Sequence, residues 1–95
     1  MAAIHYAAYM GDLITFRELV ANGVDIHMKN DTGMSALHFA AQNNCSTMIT
    51  YLLDILDFEI NEVDAKHSSA IHWAIWNNHE QALSFLLARK PDINL

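Results

Sequence analysis

The stretch Ala36-Leu37-His38-Phe39-Ala40-Ala41 decides how this chain is organised, because close variants of it stand before and after it. The earlier variant is Ala3-Ile4-His5-Tyr6-Ala7-Ala8, and the later one is Ala70-Ile71-His72-Trp73-Ala74-Ile75. The histidines at positions 5, 38 and 72 are 33 and then 34 residues apart. Recurrence at a period of this size is typical of proteins built from stacked structural repeats.

Two further blocks follow each copy in the same order. The first is an apolar block: Phe16-Arg17-Glu18-Leu19-Val20, Ile49-Thr50-Tyr51-Leu52-Leu53 and Leu83-Ser84-Phe85-Leu86-Leu87. The second closes each unit: Val24-Asp25-Ile26-His27, Phe58-Glu59-Ile60-Asn61 and Pro91-Asp92-Ile93-Asn94. One extra residue lies between Leu53 and Asn61. The blocks predict repeats at about 1–29, 30–63 and 64–95.

Each repeat carries the pattern of two short helices. The small alanines of the first block favour a first helix that packs closely on its neighbours. Apolar residues at helical spacing predict second helices near 13–22, 46–56 and 80–89. Ser35 and Ser69 stand where a helix N-cap is wanted, and Asp31-Thr32-Gly33 predicts a tight turn. No stretch of sheet length is apparent. The sequence therefore predicts an all-α solenoid of three helix-turn-helix units joined by short, hairpin-like fingers.

This pattern resembles the ankyrin repeat, whose signature is Thr-Pro-Leu-His-x-Ala at a period of about 33 residues. The resemblance covers essentially the whole chain. The departures are alanine in place of the signature proline at 3, 36 and 70, and Lys90 where the first repeat has Gly23. The resemblance implies that His5, His38 and His72 tie neighbouring turns together by hydrogen bonds. It also implies a concave groove, formed by first helices and fingers, that binds another protein.

Composition narrows the class of partner. The chain has 95 residues, of which 53% are apolar and 17% charged, which fits one small folded domain. Its net charge is −6, and its 5 basic residues are scattered. Nucleic acids and anionic membranes need a basic surface, so neither is an expected partner. A lone Cys45, no signal peptide and no apolar run long enough for a membrane span favour a reducing, cytoplasmic location.

No pattern points to catalysis, a metal or a cofactor. Histidines in equivalent places of packed helices stand about 8–10 Å apart, too far to share one zinc ion. His27, His67 and His79 are expected at the surface. Cys45 lacks a partner base at a recognisable spacing, and 3 glycines cannot make a phosphate-binding loop. We expect no catalytic residue, no metal and no cofactor in this segment.

The aromatic residues of the first helices are the best candidates for binding. Tyr6, Phe39 and Trp73 follow the signature histidine, where they either pack between helices or contact a partner. The positions three residues later face the concave groove in ankyrin repeats, and exposed aromatic residues there are typical binding anchors. The predicted partner-binding residues are Tyr9, Gln42, Asn43, Trp73, Trp76 and Asn77. The finger residues expected at the rim of the groove are Asp31, Thr32, Met34, Ala65, Lys66 and Ser68.

Ala36–Asn44 and Ser69–Ala74 are also similar to the ankyrin region of the DHHC-type palmitoyltransferases. In that family an Asn on one inner helix and a Trp of the next repeat bind short, proline-containing peptides of substrate proteins. The matching residues here are Asn43 and Trp73. The resemblance implies that the chemistry would lie in a separate, membrane-embedded domain.

Three functions therefore stay open: a protein-interaction module that binds a protein or an extended peptide, the substrate-recruiting arm of a membrane acyltransferase, and a structural segment of a long array. Neither terminal unit shows the polar outer face that caps a solenoid. We therefore expect this sequence to be a fragment of a longer ankyrin array. Whether the full-length protein is an enzyme is left open by these residues.

Overall fold

Six short helices follow one another in pairs in the computed structural model, which describes residues 2–89. They are α1 (Ala3–Met10), α2 (Leu13–Ala21), α3 (Ala36–Gln42), α4 (Ser46–Thr50), α5 (Ala70–Trp76) and α6 (Glu80–Leu87). A π-helical turn, Tyr51–Ile55, continues α4. No strand occurs between residues 2 and 89. The fold is the predicted all-α ankyrin solenoid. None of the helices in this range is long and apolar enough to cross a membrane.

The first helices of the repeats form an inner row, with α3 packed between α1 and α5. Their contact faces consist mainly of alanines, all at most 2% exposed: Ala7, Ala8, Ala40, Ala41 and Ala74. Because an alanine ends at Cβ, these helices approach closely, as the sequence predicted. The second helices supply the large side chains of the core: Phe16, Met48, Ile49, Leu52 and Leu86.

The repeated histidines join neighbouring segments, as the ankyrin resemblance implied. The Ser35 backbone N–H donates to Nδ1 of His38 (3.1 Å), so the ring proton lies on Nε2, which donates to the Ser68 carbonyl (3.0 Å). His5 Nε2 donates in the same manner to the Met28 carbonyl (2.7 Å). His72 Nδ1 accepts from the Ser69 N–H (2.9 Å). These bonds confirm the linking role for His5 and His38.

Each finger is a tight turn closed by the side chain at its start. Asn30 Oδ1 accepts the backbone N–H groups of Thr32 (3.0 Å) and Met34 (2.9 Å). In the next finger, Asp64 Oδ1 accepts the equivalent N–H groups of Lys66 and Ser68, both at 2.9 Å. The backbone N–H of each of these two residues also donates across its finger, Asn30 to the Met34 carbonyl and Asp64 to the Ser68 carbonyl (both 3.0 Å), so side chain and backbone together close the turn. The two fingers are joined by the Ala65 N–H, which donates to the Thr32 carbonyl (2.9 Å).

The extra residue of the second repeat is absorbed inside a helix. In the turn Tyr51–Ile55 the Leu56 N–H bonds the Tyr51 carbonyl (3.2 Å), five residues back. A single-residue insertion that widens an α-helix in this way is the usual origin of a π-helical turn. The sequence predicted a plain helix over 46–56, whereas the structure ends the α-helix at Thr50. The insertion thus leaves the fingers on either side unchanged in form.

Candidate protein-binding cleft

A cleft of about 400 Å³ lies between α5 and two fingers: that of the second repeat, residues 30–34 (the second finger), and that of the third repeat, residues 64–68 (the third finger). We call it the finger cleft. Its seven lining residues come from the second finger, the third finger and α5: Thr32, Met34, Asp64, Lys66, Ser68, Trp73 and Trp76. Four rim residues that the sequence predicted, Thr32, Met34, Lys66 and Ser68, are among them. Of the other two, Ala65 bonds the neighbouring finger through its backbone, and Asp31 lines the adjoining groove beside His5.

Two tryptophans form one wall of the finger cleft. Their ring centroids are 5.6 Å apart and their planes meet at 81°, an edge-to-face pair. Trp73 is half-buried, and its Nε1–H donates to Asp64 Oδ2 (3.3 Å). Trp76 is 62% exposed, and its ring also lies 5.8 Å from that of His72. A large aromatic side chain is therefore presented to solvent beside a second one that is held in place.

Asp64 forms the base of the finger cleft and is 7% exposed. Burial by itself raises the pKa of its carboxyl group, but hydrogen bonds from the Ser68 and Lys66 N–H groups and from Trp73, with the charge of His38, outweigh burial. The net result is a pKa below the ordinary value for an aspartate. The carboxylate is thus ionised at neutral pH and holds both the turn and the Trp73 ring.

The other predicted residues lie at or just after the C-terminal ends of the inner helices, and none of them lines the finger cleft. Asn43 follows α3, is exposed, and donates from Nδ2 to the Tyr9 carbonyl (2.8 Å). Asn77 follows α5, is exposed, and donates from Nδ2 to the Trp73 carbonyl (2.8 Å). Tyr9 and Gln42 are half-buried. The structure brings Trp73 and Trp76 together, and Tyr9 and Asn43 together, as two separate groups.

Tyr9 and Gln42 take part in equivalent contacts through their backbones. The Cys45 thiol donates to the Tyr9 carbonyl (3.2 Å), and His79, one repeat later, donates from Nε2 to the Gln42 carbonyl (2.9 Å). Of the histidines expected at the surface, His27 and His67 are exposed, whereas His79 is half-buried and its ring is engaged in this hydrogen bond. Burial raises the pKa of the Cys45 thiol, which opposes thiolate formation. Cys45 therefore has the geometry of a linking residue.

The three residues after the signature histidines have different environments. Tyr6 is exposed, Phe39 is buried against the His5 ring at 5.1 Å, and Trp73 is half-buried at the cleft. Phe39 thus packs between helices, whereas Trp73 combines packing with a surface position.

Between residues 2 and 89 no three His, Cys, Asp or Glu side chains are placed to hold a metal ion together.

Sequence reasoning missed Asp64, which connects the finger to the tryptophan wall. A signal was present: Asn30 and Asp64 stand at equivalent positions directly before the two fingers. Asn and Asp at the start of a four-residue turn are the residues whose side chains bond the backbone two and four positions on. The reach to Trp73, nine residues away, depends on how α5 follows the finger and needs the structure.

Paired helices in two rows, linked by fingers that border an aromatic cleft, define a helical repeat solenoid. The family model for ankyrin repeats matches residues 4–95 as three copies. The chain belongs to the ankyrin-repeat family. Domains of this family are generally protein–protein interaction modules and are generally non-catalytic.

Relatives that are similar in sequence to this chain are longer proteins. A putative ankyrin repeat protein of Rickettsia bellii is 31% identical over 87 residues, covering 90% of this chain and 48% of the relative. Palmitoyltransferase AKR1 of Lachancea kluyveri is 31% identical over 99 residues, covering 97% of this chain and 13% of the relative. This chain thus spans about half or less of the length of either relative.

A solved structure shows the same fold. It comes from the complex of the predatory endopeptidase Bd0816 of Bdellovibrio bacteriovorus with the immunity protein Bd3460. It aligns with a TM-score of 0.89 and 22% identity, covering 100% of this chain and 49% of the matched chain.

Proposed function

We propose that this chain is a protein-interaction module whose finger cleft binds an extended segment of a partner protein. The observation that carries the proposal is Trp76, 62% exposed at right angles to Trp73. A large exposed aromatic side chain packed on a second one and bordered by polar residues is the usual make-up of a binding hot spot with a polar rim. The polar rim here is formed by Thr32 and Lys66, which are both exposed.

The cleft is held in shape before any partner arrives. The turn around Asp64, the bond from Ala65 to Thr32 and the bond from Trp73 to Asp64 fix both fingers against α5. Binding to a surface that is already ordered avoids the loss of side-chain and loop freedom that weakens association. In this proposal the exposed amides of Asn43 and Asn77 extend the binding surface, beside the half-buried Tyr9 and Gln42.

The test compares capture of partner proteins from cell lysate by the native chain and by matched variants. Trp73→Ala/Trp76→Ala removes the wall of the cleft. Ile75→Ala is the control, since Ile75 lies on the same helix, is 54% exposed and does not line the cleft. Helical signal and melting temperature are compared first.

We expect a partner that is lost with the double variant, kept with Ile75→Ala, and bound directly when purified. Asn43→Ala measures the contribution of the inner-helix ends. If every direct partner binds the double variant as tightly as the native chain, the cleft is not the binding surface.

The second candidate is the substrate-recruiting arm of a membrane acyltransferase, and the similarity to AKR1 over 97% of this chain favours it. In that function Asn43 and Trp73 would act together on one peptide. Sequencing the complete open reading frame that contains this segment tests the second candidate. An Asp-His-His-Cys motif among membrane spans would establish it. A complete frame without that motif would exclude it.

A further inference from the structure

We infer that the finger cleft receives a lysine or arginine side chain of the partner segment, with the cation seated against the tryptophans and facing Asp64. The inference rests on the proposed function, since it names the chemistry of the residue that enters the same cleft. It is carried by a buried carboxylate, Asp64, that lines the same cleft as the exposed Trp76 and is bonded to the half-buried Trp73.

The ring geometry suits a cation. Indole has the most strongly negative face among aromatic side chains and attracts a guanidinium or ammonium group within about 6 Å of its centre. Trp73 and Trp76 meet at 81° with centroids 5.6 Å apart, so a cation in the corner between the two planes can lie over a negative ring face and away from the positive ring edges. The long alkyl stem of a lysine or arginine would lie along the same apolar wall.

Asp64 adds a negative charge that also attracts a cation to the finger cleft. Its Oδ1 is occupied by the N–H groups of Lys66 and Ser68, whereas Oδ2 accepts, among residues 2–89, from Trp73 Nε1 alone. A carboxylate oxygen has room for a second donor. The N–H···O bond to an ionised carboxylate also polarises the Trp73 ring and makes its face more negative. The Asp64 carboxylate and the Trp73 ring therefore both attract a cation in the finger cleft.

Lys66 is the opposing charge at the cleft. It lies on the exposed tip of the third finger, and a lysine side chain is a mobile point charge that moves aside at small cost. Asp64 is buried and fixed, so its charge cannot move away from a ligand. An acidic ligand residue could form an ion pair with Lys66 only in solvent, and it would then be repelled by the negative charge of Asp64. The chain as a whole, at a net charge of −6, also attracts a basic segment.

The experiment selects binders of the full chain from a random-peptide library and measures the affinity of the selected synthetic peptides. Each lysine or arginine of a peptide is replaced by glutamine in turn. The protein variants are Trp73→Ala/Trp76→Ala, Asp64→Asn and Lys66→Gln. Asn at position 64 can keep the finger turn, because Asn30 holds the equivalent turn of the preceding finger. A melting curve for each variant checks the fold.

We expect the selected peptides to lose affinity with the tryptophan variant and to depend on one basic residue, whose replacement weakens binding about tenfold. Asp64→Asn should weaken the same peptides, and Lys66→Gln should strengthen them. Peptides that need Trp73 and Trp76 but tolerate loss of every basic residue would overturn this inference and leave the proposed function standing. Peptides that bind the tryptophan variant unchanged would overturn both.

Discussion

Gly33 of the second finger lies against Ala65 of the third so closely that a Cβ on Gly33 would stand 2.9 Å from the Ala65 backbone nitrogen. The same nitrogen donates to the Thr32 carbonyl, so it cannot retreat without breaking the bond that joins the fingers. Gly33 also has a φ of +78°, a conformation that strains any residue with a Cβ. The two fingers that border the cleft are thus joined at a point where only glycine fits.

Replacing Gly33 by alanine should therefore cost more stability than the same change at Gly23. Gly23 has a φ of +86° but no atom within 4 Å of an added Cβ, so Gly23→Ala should cost about 1 kcal/mol of strain. Gly33→Ala adds a backbone clash and should cost a further 1–3 kcal/mol, roughly the cost of overpacking. Urea unfolding of both variants measures the difference. Equal losses would show that the fingers are not rigidly joined.

The free energy of unfolding should fall as the pH is lowered from 7 to 5 because of His38. Burial lowers the pKa of His38, and the charges of Glu62 and Asp64 and the Ser68 carbonyl offset this only in part. Below a pH of about 6.5 the unfolded chain takes up a proton that the folded ring refuses, so each pH unit costs up to about 1.4 kcal/mol until the folded pKa is passed.

The check is a side-chain NMR titration that compares His38 in the folded chain with histidine in the urea-unfolded chain. The His38 midpoint should lie at the lower pH, and urea unfolding at pH 7 and pH 5 should show the matching loss of stability. A His38 midpoint at or above that of the unfolded chain would contradict both the dominant effect of burial and the role of His38 Nδ1 as acceptor of the Ser35 N–H.

Leu52 should be a core residue despite lying in the π-helical turn. It is fully buried, so Leu52→Ala should cost about 2–5 kcal/mol. Leu87, on α6, is 46% exposed, and Leu87→Ala should cost less than about 1 kcal/mol. Denaturant unfolding measures both. Similar losses at the two sites would mean that the π-helical turn does not hold its side chains in the core.

Cys45 should react slowly with iodoacetamide in the folded chain. Its thiol is partly buried, has a raised pKa and donates to the Tyr9 carbonyl. At pH 8 the alkylation rate should be several-fold below that of the same chain unfolded in urea, because the thiolate is the reactive form. The two rates are followed by mass spectrometry. Equal rates would show that the Cys45 thiol is neither buried nor bonded.

The fold could be predicted from the sequence because its signals are local and repeated. The spacing of His5, His38 and His72 gives the repeat, and the alanines around them give the close inner helices. The place of the extra residue could not be predicted in full. The sequence puts it between Leu53 and Asn61, but whether a loop or a helix absorbs it depends on packing against Leu52 and its neighbours.

The candidate site was less accessible to sequence reasoning. Side chains at equivalent positions of successive repeats are expected to point the same way, and on this basis the sequence predicted that Trp76 faces the groove. They do not show that Asn43 donates its amide to the Tyr9 carbonyl, or that Asp64 reaches Trp73. Such bonds join residues of different elements, and the angle between those elements is set by the whole stack.

The proposed function requires that a partner binds at Trp73 and Trp76. The most direct measurement follows their two indole N–H signals by ¹⁵N-labelled NMR, which is simple because the chain holds 2 tryptophans. Single Trp→Phe variants assign the signals, and a directly bound partner or selected peptide is then titrated. We predict that both indole signals shift in proportion to the fraction bound. Indole signals that stay unchanged at saturation, while backbone signals elsewhere move, would contradict the claim.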